Sequence, residues 1–234
     1  VILLEYTPES RYDDRDMAKV SLFSLDYVVF DFETTGLNPH EGDEIVEIGA
    51  VKLRGAEVTH EKFQALVNAK RPIPKQASLV HGITDEDLKD KPPIEEVFPK
   101  FIEFVGNKTL IAHNAAFDLE FIRVNLERFP HLSFTNYCID TLQLSKHFFS
   151  YEKGHNLDAI SNRLGLKRAA KQAPQGNLGR HRSLGDCYLT AQIFTEFLKS
   201  LKRRNISTLH DIRSCVMHPP KILPTHAQES FKLL

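Results

Sequence analysis

Three strand-like segments follow one another with no helix between them, and helices and strands alternate afterwards. That order restricts the possible folds more than any other feature of the chain. Tyr27-Val28-Val29-Phe30-Asp31 is an apolar run ending in an acid, the pattern of a buried strand. Gly36-Leu37-Asn38-Pro39 supplies turn chemistry after it. Ile45–Leu53 and Val58–Val67 read as two more strands, joined near Arg54-Gly55 as a hairpin. The first three strands are therefore expected to be consecutive and antiparallel.

The period then changes from two to about 3.6. Thr84 is placed to cap a short helix whose first turn holds Asp85, Glu86 and Asp87. Pro93 suits a second helix start, and Ile94, Val97, Phe98, Phe101, Ile102 and Val105 form a helical stripe. Pro99 lies inside that stripe and is expected to kink the helix or mark a later start. Thr109–Ala112 reads as a strand, and Leu119, Ile122, Leu126 and Phe129 as the next helical stripe. Tyr137–Ile139 is a fifth strand, followed by helices through Leu142 and Leu144, over Asn156–Leu164 and over Ser183–Lys199. A β-β-β-α-β-α-β-α-α order predicts an α/β domain: a mixed five-stranded sheet with helices on both faces. Residues 26–200 are assigned to that domain. Residues 1–25, polar and carrying the charge run Tyr12–Asp16, read as an N-terminal extension with one helix. Residues 201–234, with the basic Lys202-Arg203-Arg204 and a weak helix around Ile206–Val216, read as a C-terminal appendage.

Charge and composition exclude several functions. Lys and Arg number 30 against 31 Asp and Glu, a net charge of −1, which argues against a protein that coats nucleic acid through a strongly basic surface. A local basic patch remains compatible with it. The longest apolar runs are four residues, as in Val1–Leu4, whereas a membrane span needs about 20. No membrane association and no signal peptide are expected. The chain begins at Val1 rather than Met, and a trimmed chain or a piece of a longer one is expected. The three cysteines form no C-x-x-C pair, so a zinc knuckle or disulfide framework is not expected. Reduced buried thiols in a cytoplasmic protein are the plain reading.

Acidic side chains carry the chemistry. Asp31 and Glu33 close the first strand and, two residues apart, point to the same side. Two carboxylates held together repel unless a cation joins them or one takes a proton. Taken alone, the pair also reads as a turn cap and a solvated acid. The segment His113-Asn114-Ala115-Ala116-Phe117-Asp118 follows the fourth strand and opens a helix, and His181-Arg182-Ser183-Leu184-Gly185-Asp186 opens another. Each of these alone is ordinary for a helix start. Together, Asp31, Glu33, Asp118 and Asp186 come from one strand end and two helix starts, which an α/β layout can gather at one edge of the sheet. All-oxygen ligands suit a hard cation, Mg²⁺ or Mn²⁺. Two such ions about 3.5–4 Å apart form a clamp for displacement at phosphorus, and four carboxylates roughly balance two dications.

These residues resemble a known family. Asp31-Phe32-Glu33-Thr34-Thr35-Gly36, His113–Asp118 and His181-x4-Asp186 resemble the three motifs of DnaQ-like 3′–5′ exonucleases of the DEDDh type. Val80–Thr84 and Glu44–Ala50 resemble stretches that the family carries between them, and the likeness covers roughly residues 26–200. The proofreading epsilon subunit of the bacterial replicative polymerase and the PolC-type exonuclease domain are the branches it is most similar to. The resemblance implies an RNase H-like fold, and Asp31, Glu33, Asp118 and Asp186 as ligands of two Mg²⁺ or Mn²⁺ ions. It implies His181 as general base, in a loop just before the last long helix. The alternative branch places a Tyr four residues before the last Asp, where this chain has Arg182.

Substrate contacts implied by the resemblance fall on Thr34, Thr35, Gly36 and Leu37, with Gly36 allowing close backbone approach. Leu37 either wedges beside the terminal base or closes the core. Phe117 either meets the sugar or packs in the core, and Asn114 either holds the backbone of the substrate or caps its helix. His113 and His81 read as structural. Residues 159–185 hold no acid but six cations, Arg163, Lys167, Arg168, Lys171, Arg180 and Arg182, which read as a phosphate-tracking strip beside the site or as a solvated loop. The expected function is a 3′–5′ exonuclease on single-stranded or frayed DNA 3′ ends, in proofreading or repair, with a DNA polymerase subunit as possible partner. An exoribonuclease of the same family and a non-catalytic nucleic-acid-binding module are the alternatives.

Overall fold

The computed structural model describes residues 14–166 and 182–217. In chain order these are α1 (Asp14–Lys19), β1 (Asp26–Thr34), β2 (Ile45–Arg54), β3 (Glu57–Leu66), α2 (Lys75–His81), α3 (Asp85–Leu88), α4 (Ile94–Val105), β4 (Thr109–Ala112), α5 (Ala115–Arg128), β5 (Cys138–Asp140), α6 (Thr141–Phe148), α7 (Leu157–Arg163), α8 (Ser183–Arg203) and β6 (Val216–Met217). Short 3₁₀ turns lie at Pro39–Glu41 and His210–Cys215. The sheet order is β3-β2-β1-β4-β5-β6. β1 pairs antiparallel with β2 and parallel with β4, β2 antiparallel with β3, and β4 parallel with β5. The five expected strands are all present, and β6 adds a sixth by pairing antiparallel with β5.

β1 lies inside the sheet with a core on each face, which is why its sequence is an unbroken apolar run rather than an alternating one. Val28, Phe30 and Phe32 face one core, with Val97, Phe98, Phe101 and Ile102 of α4 and Phe121 and Ile122 of α5. Tyr27 and Val29 face the other, with Leu144 of α6, Ile160 of α7 and Leu184, Cys187, Phe194 and Phe197 of α8. Pro99 does not divide its helix: α4 is continuous from Ile94 to Val105, and its buried stripe lies on the first core. β3, at the edge, keeps a mostly exposed polar face.

The described parts of the two terminal segments pack onto this body. Met17, Leu22, Leu209, Ile212, Cys215 and Val216 are buried in the α8-side core. Leu22 N–H donates to Ser207 O at 2.8 Å, and Leu209 N–H to Val20 O at 3.1 Å, tying the segments to each other. All three cysteines are free and buried. Among the described residues no helix is long and apolar enough to cross a membrane.

Candidate metal and active site

The site lies where β1 ends. Phe32 turns into the α4/α5 core, its ring 5.4 Å from those of Phe30 and Phe101. The two-residue period therefore sends Asp31 and Glu33 to the opposite face, toward α8. Asp186 stands in the first turn of α8, and one carboxylate oxygen from each of Asp31, Glu33 and Asp186 lies within 4.8 Å of the others. Asp118, in the first turn of α5, is buried, and its Oδ1 accepts the Phe32 N–H at 3.0 Å. The fourth acid is thus tied to the backbone between the first two.

Burial and neighbouring charge hold three of these acids, Asp31, Glu33 and Asp118, above the ordinary carboxylate range. Burial, then the charges of Asp118, Glu33 and Asp186, push Asp31 well above the ordinary carboxylate range. Burial, then Asp186 and Glu47, raise Glu33 to about 8, with Arg182 pulling the other way. Burial raises Asp118 to about 8. Oxygen-only donors gathered in this way suit a hard divalent cation, whose charge would favour the ionised forms of Asp31, Glu33 and Asp118.

The flanking residues divide into those that shape the site and those that face outward. Thr34 Oγ1 donates to Gly36 O at 2.6 Å. Thr35 Oγ1 donates to Asp43 Oδ1 at 3.2 Å and accepts the Glu44 N–H at 3.0 Å. Gly36 is required by the same aspartate: a Cβ there would lie 2.2 Å from Asp43 Oδ2. Asp43 also accepts the Asn38 N–H, so one carboxylate closes the turn. Leu37, at its tip, is 83% exposed. It does not close the core.

Asn114 precedes α5 in the left-handed region, φ 66°, and makes no side-chain cap bond; its N–H donates to Asp140 Oδ1 at 3.0 Å. Phe117 is half-buried against Phe121, 5.1 Å between ring centres. His113 Nδ1 lies 3.0 Å from Thr141 Oγ1. His81 is buried, its Nδ1 accepts the Ile83 N–H at 3.0 Å, and burial lowers its pKa.

His181 lies outside the described residues, as do Lys167, Arg168, Lys171 and Arg180 of the basic strip. The two described members, Arg163 and Arg182, are engaged within the chain. Arg163 donates to the carbonyls of Lys153 and Gly154 at 3.2 Å and lies over the Phe149 ring. Arg182 pairs with Glu47.

Two buried acids, Glu47 and Asp140, do not figure among the residues singled out in the sequence. Glu47 accepts hydrogen bonds from Arg182, Ser183 and Gln64. Asp140 accepts the N–H groups of Leu142 and Asn114. The signal was a lone acid within or ending an apolar strand, Ile45-Val46-Glu47-Ile48 and Cys138-Ile139-Asp140.

Known proteins place this architecture. The chain is 40% identical over 208 residues to a DNA polymerase III subunit epsilon-like protein of Rhodobacter capsulatus, covering 88% of this chain and 28% of that protein. It is 38% identical over 188 residues to a PolC-type DNA polymerase III of Thermotoga petrophila, covering 80% and 13%. The chain thus spans less than a third of the length of these two relatives. Among solved structures, exonuclease X in complex with 5′ overhanging duplex DNA superposes with a TM-score of 0.61 at 30% identity, over 74% of this chain and 92% of that one. The fold is the RNase H-like exonuclease fold. With the RNase_T exonuclease family matching residues 28–194, the chain belongs to the exonuclease family.

Proposed function

We propose that this chain is a divalent-metal-dependent 3′–5′ exodeoxyribonuclease of the DEDDh type. It releases nucleoside monophosphates from single-stranded or frayed DNA 3′ ends in proofreading or repair. The observation that carries the reading is the convergence of Asp31, Glu33 and Asp186 within 4.8 Å, beside buried Asp118, in an exonuclease-family fold.

Asp31, Glu33, Asp118 and Asp186 would hold two Mg²⁺ or Mn²⁺ ions. Bound there, these ions supply Lewis-acid activation of the attacking water and charge neutralisation at the leaving 3′ oxygen. His181 takes the proton of that water; an imidazole with a pKa near 6.5 can accept one at neutral pH. The turn Thr34-Thr35-Gly36-Leu37 presents its exposed leucine to the terminal nucleotide, while Asp43 keeps the turn rigid. Asn114 and Phe117 open α5 beside Asp118 and contribute the remaining substrate contacts. The names of the relatives favour a DNA polymerase as partner, and a cytoplasmic location is part of the same proposal.

The test is digestion of matched 5′-labelled DNA and RNA oligonucleotides with Mg²⁺ or EDTA. The expected result is a metal-dependent ladder shortening from the 3′ end, stronger on DNA, and lost in Asp186→Ala. A fully active Asp186→Ala would overturn the site, and a ladder mainly on RNA would overturn the substrate.

A further inference from the structure

α8 begins without a cap of its own. Its N-cap residue, Arg182, makes no side-chain cap bond, and a helix start leaves backbone N–H groups needing acceptors. The acceptor comes from β2. Glu47, fully buried, accepts the Ser183 N–H at 3.0 Å and Arg182 Nε at 3.1 Å through Oε2. Through Oε1 it accepts Arg182 Nη2 at 2.8 Å and Gln64 Nε2 at 3.0 Å. One strand carboxylate thus caps the helix, pins the residue before it in a forked pair, and is itself satisfied four times.

Two residues along the same face of β2, Gly49 lets the first turn of α8 rest directly on the strand. A Cβ on Gly49 would lie 2.6 Å from Leu184 N and from the Ser183 carbonyl carbon, and Cys187 Sγ donates to Gly49 O at 3.3 Å. The β1–β2 register sets what this docking accomplishes. Glu33 is the cross-strand partner of Glu47, and Asp31 of Gly49. The two docking residues therefore stand directly beside the two β1 acids, on the same face. Asp186 lies in the turn that they hold.

We propose that Glu47 and Arg182 are positioning residues: their pair sets the first turn of α8 so that the Asp186 carboxylate meets Asp31 and Glu33. The pair also keeps Glu47 out of the ligand set. Its four acceptor bonds leave no oxygen directed at a cation, although it is the neighbour of Glu33. Arg182 supplies a planar fork that Lys cannot reproduce.

The proposal rests on the metal-site reading above, and its test separates the two. Mn²⁺ binding is measured without substrate by the free-Mn²⁺ electron paramagnetic resonance signal, on the full chain and on Glu47→Gln and Arg182→Lys. Oligonucleotide cleavage is then followed against Mn²⁺ concentration. Outer-shell partners of metal ligands change affinity or activity by about 10–100-fold. Both variants are expected to bind Mn²⁺ about 10-fold more weakly and to need correspondingly more for half-maximal cleavage, with the KM for the oligonucleotide nearly unchanged. If the wild-type chain bound no Mn²⁺ and cleaved nothing, the metal-site reading would fail. Wild-type binding with unchanged affinity in the variants would overturn the positioning proposal alone. Should Glu47→Gln not fold, Arg182→Lys decides: weaker binding supports the pair's role and unchanged binding refutes it.

Discussion

Glu33 and Glu47 are cross-strand neighbours on β1 and β2, yet their carboxylates are in opposite electrostatic states. Burial and the neighbouring acids raise Glu33 to about 8, and burial with the surrounding charges pushes Asp31 higher than an ordinary carboxylate. Burial would raise Glu47 as well. The hydrogen bonds and charge of Arg182, with those of Gln64 and the Ser183 N–H, outweigh it and hold Glu47 below its ordinary value. The acid that builds the structure has its partners inside the chain. Asp31 and Glu33, proposed as ligands, face mostly other acids and suit a cation from solution. Buried charge is tolerable when matched, and strained when the match is to come from a ligand.

The largest expected effect separates metal holding from proton transfer. His181→Ala should lower cleavage by about 10²–10⁴-fold, while Mn²⁺ binding by the four acids stays at the wild-type level. A parallel loss of Mn²⁺ affinity would make His181 part of the ligand set and blur the division. Next come two substitutions of opposite sign in the metal-free protein at pH 8. Glu47→Gln leaves the Arg182 fork without its charge partner and should lower Tm by about 5–10 °C. Asp31→Asn removes a strained acid and should raise Tm by about 2–6 °C. Thermal melts in chelator measure both, and a change of the same sign would break the comparison. The smallest effect is at Leu37, whose side chain is almost wholly in solvent. Leu37→Ala should leave Tm within about 1 °C and raise the KM for a DNA oligonucleotide several-fold; an unchanged KM would return Leu37 to an ordinary surface residue.

Much of this was legible in the chain because the buried elements keep clean periods. β1 to β5 and the stripe of α4 followed from spacing alone, and the two-residue period put Asp31 and Glu33 on one side. β6 was not legible, because two residues on a sheet edge carry no period. Pro99 suggested a kink or a later start, yet the helix already begins at Ile94 and runs through it, carried by the apolar face buried on either side of the proline. At Gly36 the position a Cβ would take is occupied by the Asp43 carboxylate, a packing reason for glycine that depends on a residue seven positions further along. Asn114 read as a possible side-chain cap, whereas its role in the turn is a left-handed backbone whose N–H binds Asp140. Glu47 was missed because its meaning depends on Arg182, 135 residues further along the chain. An acid in an apolar strand is a visible anomaly, but its partner is set by topology.

The sign of the pH dependence puts the central claim within reach of one experiment. Glu33 and Asp118, raised to about 8, bind protons more tightly in the folded than in the unfolded chain. Their stabilising contribution is full below the ordinary carboxylate range and is lost as pH rises toward and through 8. Glu47, lowered, contributes in the opposite sense: its part is present above about 4.5 and lost on acidification. The decisive measurement is Tm at pH 8 in chelator and in Mn²⁺, for the wild-type chain and Asp186→Ala. A cation at about 100 times its Kd adds about 2.7 kcal/mol, or roughly 5–10 °C for a chain of this size. Such a rise is expected for the wild-type chain, with little or none for Asp186→Ala. A Tm that ignores Mn²⁺, or rises equally in both proteins, would contradict a divalent-cation site built from Asp31, Glu33, Asp118 and Asp186.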